Sequence, residues 1–205
     1  MRVLAINGSP HSDGSTYNAI KLVTNQLEAE GISSEVLHIG TKPISGCLAC
    51  GFCSKQAEPK CAINGDSVNE AMAKAKEADG IIIASPVHFS GIAGTMKCFL
   101  DRFFYAGVSN LWYKVGFALC AVRRSGGVTT FDQLNHYLAY GNMAIAGGQY
   151  WPVIHGLKDD EVLQDAEGVQ NLKRAGSNMA WLIKNLQDTT PPAFNEQRIF
   201  TNFIR

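Results

Sequence analysis

The segment Gly80-Ile81-Ile82-Ile83-Ala84-Ser85 is apolar at nearly every position. A strand with one wet face alternates apolar and polar residues. A run without alternation marks a parallel strand covered on both faces. Such a strand demands helices on both sides of its sheet, and the rest of the chain supplies them. Residues 2–6 form a short apolar strand. Ser15-Thr16 open a helix with Ala19, Ile20, Val23 and Leu27 on one face, closed by Gly31. An edge strand is expected over 34–39, and a long loop over 40–66. Helices are expected over 67–78 (Val68, Met72 and Ala75 inward) and 95–105 (Met96, Phe99, Leu100 and Phe103 inward), with Pro86 stopping the central strand. Further strands at 115–122 and 142–146 and helices at 131–140 and 169–186 complete the series. Five strands alternating with helices predict an α/β, doubly wound parallel sheet. Residues 1–187 read as one domain and 188–205 as an extended tail.

Ligands on such sheets bind outside the carboxyl ends of the strands. The loops 7–16, 86–91 and 123–130 should therefore converge. The first contains Asn7-Gly8-Ser9-Pro10-His11-Ser12-Asp13-Gly14 ahead of a helix start. Backbone N–H groups and the dipole at a helix N-terminus attract an anion. Ser9, Ser12, Ser15 and Thr16 add hydroxyl donors. The chain has no G-x-x-x-x-G-K-[ST] and no G-x-G-x-x-G, which argues for a single terminal phosphate over a triphosphate or dinucleotide. The competing reading is an ordinary turn with Ser15 as the helix N-cap. The second loop, Pro86-Val87-His88-Phe89-Ser90-Gly91, is a tight bend with flat side chains. The third, Arg123-Arg124-Ser125-Gly126-Gly127, offers charge and two glycines.

The chain carries 18 basic and 18 acidic residues among 205, with no long basic run. Nucleic acid and anionic membranes are thus poor partners. No apolar run approaches a membrane span, and the N-terminus reads as a strand, so a cytoplasmic protein is expected. Six cysteines then argue for metal or redox chemistry over disulfides. Cys47, Cys50, Cys53 and Cys61 have a spacing that suits a [4Fe–4S] cluster. It also suits four thiolates on zinc, a redox-active C-x-x-C, or free thiols. Cys98 and Cys120 read as small core residues.

Together, Gly8-Ser9-Pro10 with Ser15-Thr16, Ser85-Pro86-Val87-His88-Phe89, Met96-Lys97 through Leu100-Asp101-Arg102, and Gly126-Gly127 with Phe131 resemble the flavodoxin-like NAD(P)H-dependent FMN reductases. The four-cysteine loop resembles their iron–sulfur flavoprotein branch, with a longer gap before Cys61. His11 stands where the family often has arginine. The resemblance implies FMN, its phosphate on residues 9–18 (Ser9, His11, Ser15, Thr16, Tyr17 and Asn18 among them). Pro86, Val87, His88, Phe89, Ser90 and Gly91 would line the ring edge. Arg123, Arg124, Ser125, Gly126 and Gly127 would face its pyrimidine end. His155 is a candidate for the flavin border, and Trp112, Tyr113, Tyr150 and Trp151 for the walls of a guest pocket. The function expected is an oxidoreductase taking hydride from NAD(P)H and reducing a small acceptor such as a quinone, flavin, azo or nitro compound. His88 is the one side chain considered for a catalytic part. The alternative is an electron carrier with FMN and a [4Fe–4S] cluster, served by a ferredoxin-type partner. A flavin-binding sensor is a third, weaker reading. The apolar tail (Phe194, Phe200, Phe203, Ile204) predicts a homodimer or homotetramer.

Overall fold

Ile81 and Ile83 enter one apolar cluster, and Ile82 and Ala84 enter another on the opposite side. That split is the expected consequence of a strand apolar on both faces. The computed structural model describes residues 1–193, 196, 197 and 199–201. In chain order the elements are β1 (Arg2–Asn7), α1 (Ser15–Ala29), β2 (Ser33–His38), α2 (Val68–Glu77), β3 (Gly80–His88), β4 (Gly91–Ile92), α3 (Gly94–Gly107), β5 (Val115–Val122), α4 (Gly127–Tyr140), β6 (Ala144–Ile145), β7 (Val153–His155) and α5 (Ala166–Leu186). The sheet order is β2-β1-β3-β5, with β6 and β7 both on the outer side of β5. All these pairings are parallel. Helices α2, α3 and α4 cover one face, and α1 and α5 the other.

The sheet departs from the expected five strands in two places. The fifth position is split: β6 pairs at Val115 and Gly116, β7 at Cys120 to Val122, and residues 146–152 loop out between them. The second half is only three residues long and follows Pro152, so its periodicity was too brief to read. Pro86 also does not stop β3. The strand runs on to His88 and folds back through a hairpin onto β4, with Val87 opposite Ile92 and His88 opposite Gly91. Pairing to β1 ends at Ala84, so that side of β3 is open at Pro86, where a residue without an N–H is tolerated. Helix α4 starts at Gly127, four residues before the expected start, which shortens the third loop to 123–126. Gly14, not Ser15, occupies the N-cap of α1. Among the described residues, no helix is long and apolar enough to cross a membrane.

Lys114 secures the end of the sheet away from the three loops. Its ammonium donates to the carbonyls of Ala75, Lys76 and Ala78 at 2.7, 2.7 and 2.6 Å, at the C-terminal end of α2, where carbonyls lack intrahelical partners and a cation is favoured. Lys114→Met removes three donors at once. It should cost about 1–3 kcal/mol, read as a lower midpoint in urea with an unchanged slope.

Candidate active site

Asn7, the last residue of β1, organises the first loop. Its buried side chain accepts from the Ser9 N–H at 3.1 Å and donates to the carbonyls of His11 and Ser12 at 3.4 and 3.3 Å. The Gly8 N–H donates to Ala84 O of β3 at 2.9 Å, and the Ser9 hydroxyl accepts from the His11 N–H at 3.1 Å. His38, at the end of β2, places Nε2 2.8 Å from Ser9 O. None of these bonds uses the N–H groups of residues 12–17, which have no acceptor among the described residues. Six backbone donors at the start of α1 thus remain for an anion. This is the fit a terminal phosphate requires.

The side chains behave less uniformly. Ser15 Oγ donates to Lys158 O at 3.2 Å, and the Asn18 amide donates to Asp159 O at 2.8 Å and Asp160 Oδ1 at 3.2 Å. These two expected phosphate contacts are engaged by the turn at 158–160. Thr16 is buried, Tyr17 half-buried and His11 exposed. The same turn brings Asp159 near the cradle: a Cβ at Gly14 would lie 3.1 Å from its Oδ1.

The second and third loops meet. Phe89 and Ser90 form the tip of the β3–β4 hairpin, both with positive φ (50° and 60°). Gly126 has φ 87°, and a Cβ there would come within 2.7 Å of Ser90 Cα. Only glycine satisfies both the left-handed backbone and the close approach. His88, Phe89 and Ser90 are exposed, and Pro86, Val87 and Gly91 are half-buried. Gln133 of α4 braces the hairpin from below, accepting from the Ile92 N–H at 3.3 Å.

Beyond this junction lies a cavity of about 320 Å³ between the N-terminal ends of α4 and α5 and strand β7. Arg124, Ser125, Gly126 and Gly127 line it on one side, and Tyr150, Trp151, His155 and Asp165 on the other. Arg123 is exposed and does not line it. Partial burial works against the Asp165 carboxylate. The backbone N–H groups of Gly168 (2.9 Å) and His155 (2.8 Å), with the His155 ring at 3.2 Å, outweigh it and hold the pKa below the ordinary range. Its contribution to stability is present above the ordinary carboxylate pKa and lost as pH falls through the lowered one. Trp112 and Tyr113 do not join Tyr150 and Trp151. They precede β5, whereas the cavity lies past its far end, and they line a separate groove with Asp79 and Pro191.

Cys47, Cys50, Cys53 and Cys61 line one cavity with Arg102 and Tyr105. Among the described residues, no three His, Cys, Asp or Glu side chains are gathered as ligands of one ion. Zinc draws four thiolates to about 2.3 Å from a single point, whereas a cluster takes its thiolates around a larger body. Four thiols on one cavity are a donor set that either could use. Cys98 is half-buried against the core, and burial pushes the fully enclosed Cys120 thiol up to about 12.

The sequence reading gave no role to His38 or Asn69, quoted Asn7 only as part of the first loop, and quoted Arg102 only among the residues of the resemblance. Asn69 accepts from the Cys61 N–H at 2.9 Å and donates back to Cys61 O at 3.1 Å. The legible signal was a polar residue at an otherwise apolar position, clearest for Arg102 within Phe99-Leu100-Asp101-Arg102-Phe103-Phe104.

The sequence pattern of the NADPH-dependent FMN reductases matches residues 1–158. The chain belongs to that family. An iron–sulfur flavoprotein of Methanocaldococcus jannaschii is 32% identical over 193 residues, covering 90% of this chain and 98% of the relative. One from Methanosarcina thermophila is 25% identical over 191 residues, covering 91% and 97%. The fold agrees with that of an archaeal flavodoxin (TM-score 0.59, 16% identity, 90% of this chain and 99% of that one). It also agrees with that of RosB (TM-score 0.68, 16% identity, 100% and 92%). This family member is accordingly a flavodoxin-like oxidoreductase that binds FMN.

Two substitutions test the geometry. Gly126→Ala should cost about 1–3 kcal/mol through left-handed strain and displace the hairpin, lowering both the unfolding midpoint and FMN affinity. Asp159→Asn removes a carboxylate from the rim of the anion cradle. It should tighten FMN by about two- to fivefold at low salt, on the scale of an exposed charge interaction. The gain should shrink at high salt, because the Debye length falls to about 3 Å at 1 M. Fluorescence quenching of FMN reads both.

Proposed function

We propose that this protein is an FMN-dependent oxidoreductase that takes reducing equivalents from NAD(P)H and passes them to a small organic acceptor. The observation that carries this reading is the junction of the 88–91 hairpin with loop 124–127 beside an aromatic-walled cavity. Bound FMN would supply both two-electron and one-electron chemistry there. The protein's own part is to hold and aim. Residues 12–17 present N–H groups to the phosphate. Asn7 and His38 keep that loop in shape. The hairpin and Gly126 set one border of the ring site, and Arg124 stands beside it as a cation. Tyr150 and Trp151, tilted at 57° with centroids 4.5 Å apart, offer a broad surface to a flat guest.

A second reading rests on its own observation: four cysteines line one cavity. We infer that they hold a [4Fe–4S] cluster, which adds a one-electron centre and makes a protein electron donor a partner alongside or instead of NAD(P)H. The donor set fits four-thiolate cluster ligation.

Anaerobic purification separates the two readings. Heat-released pigment should run as FMN on HPLC, and recovery of FAD would overturn the single-phosphate site. Four iron and four sulfide per chain, lost in Cys50→Ala/Cys53→Ala while the yellow colour stays, would support the cluster. Flavin bleaching by NADH or NADPH in stopped flow supports the reductase. Failure of both nucleotides, with bleaching by reduced ferredoxin, transfers the protein to the carrier reading.

A further inference from the structure

Arg102 is the largest fully buried side chain of the described residues, 1% exposed, on α3. A guanidinium in such a place needs an acceptor for each of its five N–H groups. It has them, and all belong to the cysteine loop. Nε donates to Cys61 Sγ at 3.3 Å. Nη1 donates to Ser45 O at 3.4 Å and to Asp66 Oδ2. Nη2 donates to Ile63 O at 2.9 Å and Asp66 Oδ1 at 3.3 Å. The Asp66 side chain is itself only 8% exposed. One side chain therefore grips the loop just before Cys47 and again from Cys61 to Asp66, with one of its donors on a cysteine sulfur.

We propose that Arg102 is the positioning residue of the cysteine centre. It closes the 45–66 loop so that Cys61 faces Cys47, Cys50 and Cys53, and its Nε–H tunes the electron affinity of whatever Cys61 ligates. The tuning half rests on the reading that the four cysteines hold a cluster; the closing half does not. The physical grounds are separate. Five satisfied donors in a dry site fix the loop geometrically, because releasing any acceptor leaves a buried group unpaired. An N–H donated to a ligating sulfur stabilises the reduced, more negative form, so it raises the reduction potential.

Arg102→Lys keeps a cation opposite Asp66 but removes the Nε–H and the forked geometry. FMN content, held at a different loop, reports that the variant is folded. In iron-loaded protein, redox titration followed by electron paramagnetic resonance should show the reduced-to-oxidised ratio at fixed potential falling about tenfold, 59 mV for a one-electron centre. Amide hydrogen exchange in residues 45–66 should quicken at least tenfold in iron-free protein, with β1, β3 and β5 unchanged. An unaltered potential with quickened exchange would overturn the tuning role and leave Arg102 as a loop clasp only. Unaltered exchange overturns the closing role. If the wild-type protein takes up no iron, the cluster reading fails and the exchange measurement still decides the closing role. Should Arg102→Lys lose FMN altogether, Asp66→Asn replaces it. That variant leaves the Nε–H on Cys61 and removes a negative charge, so it should quicken exchange while the potential holds or rises. A potential that fell as far as expected for Arg102→Lys would overturn the assignment to Nε.

Discussion

Asn7 stands opposite Ala84, and Pro86 opposite Ala121, in one continuous parallel register through β1, β3 and β5. Everything the protein can bind at its carboxyl edge depends on that alignment. Yet the strands cannot set it by polarity. In a sheet wet on one face, a one-residue slip drives apolar side chains into water. Here both faces of β3 are buried, so a slip would exchange one apolar environment for another. The register must be set by shape and by the strand ends. Gly80 has Met179 pressed against it, where a Cβ would meet Cε at 2.7 Å, and Gly116 is wedged between Leu138 and Met143. At the other end, the Gly8 N–H reaches Ala84 O across the strands. Small residues under large ones at the bottom and a loop bond at the top leave one alignment.

That alignment makes the first loop an extension of the sheet. Asn7 continues β1 outward by hydrogen-bonding forward to residues 9, 11 and 12, and His38 continues β2 by reaching Ser9 O. The cysteine loop begins directly after β2, so the first loop and the cysteine loop both lead off the carboxyl edge of the sheet. They remain separate in what holds them. The cradle hangs from β1 and β3, whereas the cysteine loop is anchored to α2 through Asn69 and to α3 through Arg102. Two sites on one edge with independent anchors can change separately, so one frame can serve members with and without a metal centre.

Long apolar runs and helix faces were legible because burial repeats: Ala19, Ile20, Val23 and Leu27, or Met96, Phe99, Leu100 and Phe103, all enter the core as their spacing requires. That the loops after β1, β3 and β5 lie on one edge followed from the alternation of strands and helices. What escaped was set by single contacts. Strand β7 owes its existence to three residues pairing with β5 beyond a looped-out segment, too few for a period. The early start of α4 depends on Gly126 adopting φ 87° beneath Ser90, where glycines in sequence read as slack. Ser15 was expected at the phosphate from its hydroxyl and Asn18 from the resemblance, and neither reading could foresee that a turn more than 140 residues away in sequence also bonds them. Apolar Phe194, Phe203 and Ile204 of the tail lie outside the described residues.

The hairpin tip shows where the fold accepts strain. Two-residue hairpin loops of this kind favour Asn-Gly, since both central residues need positive φ. Phe89 and Ser90 occupy these positions instead, at about 1–2 kcal/mol each for a left-handed residue bearing a Cβ. No burial compensates at the tip, because Phe89 is fully exposed. The conformation persists because its surroundings over-determine it: β4 pairs back onto β3, Gln133 accepts from Ile92 N, the Ser85 hydroxyl accepts from Ala93 N at 3.0 Å, and Gly126 packs under Ser90. Strain held in place by four independent contacts, with a bare aromatic ring at its apex, is more than a connector between β3 and β4 requires. A glycine-rich turn there would be easier to fold and would present nothing. The aromatic residue at a strained apex costs stability and leaves a flat surface exposed, already oriented, beside loop 124–127.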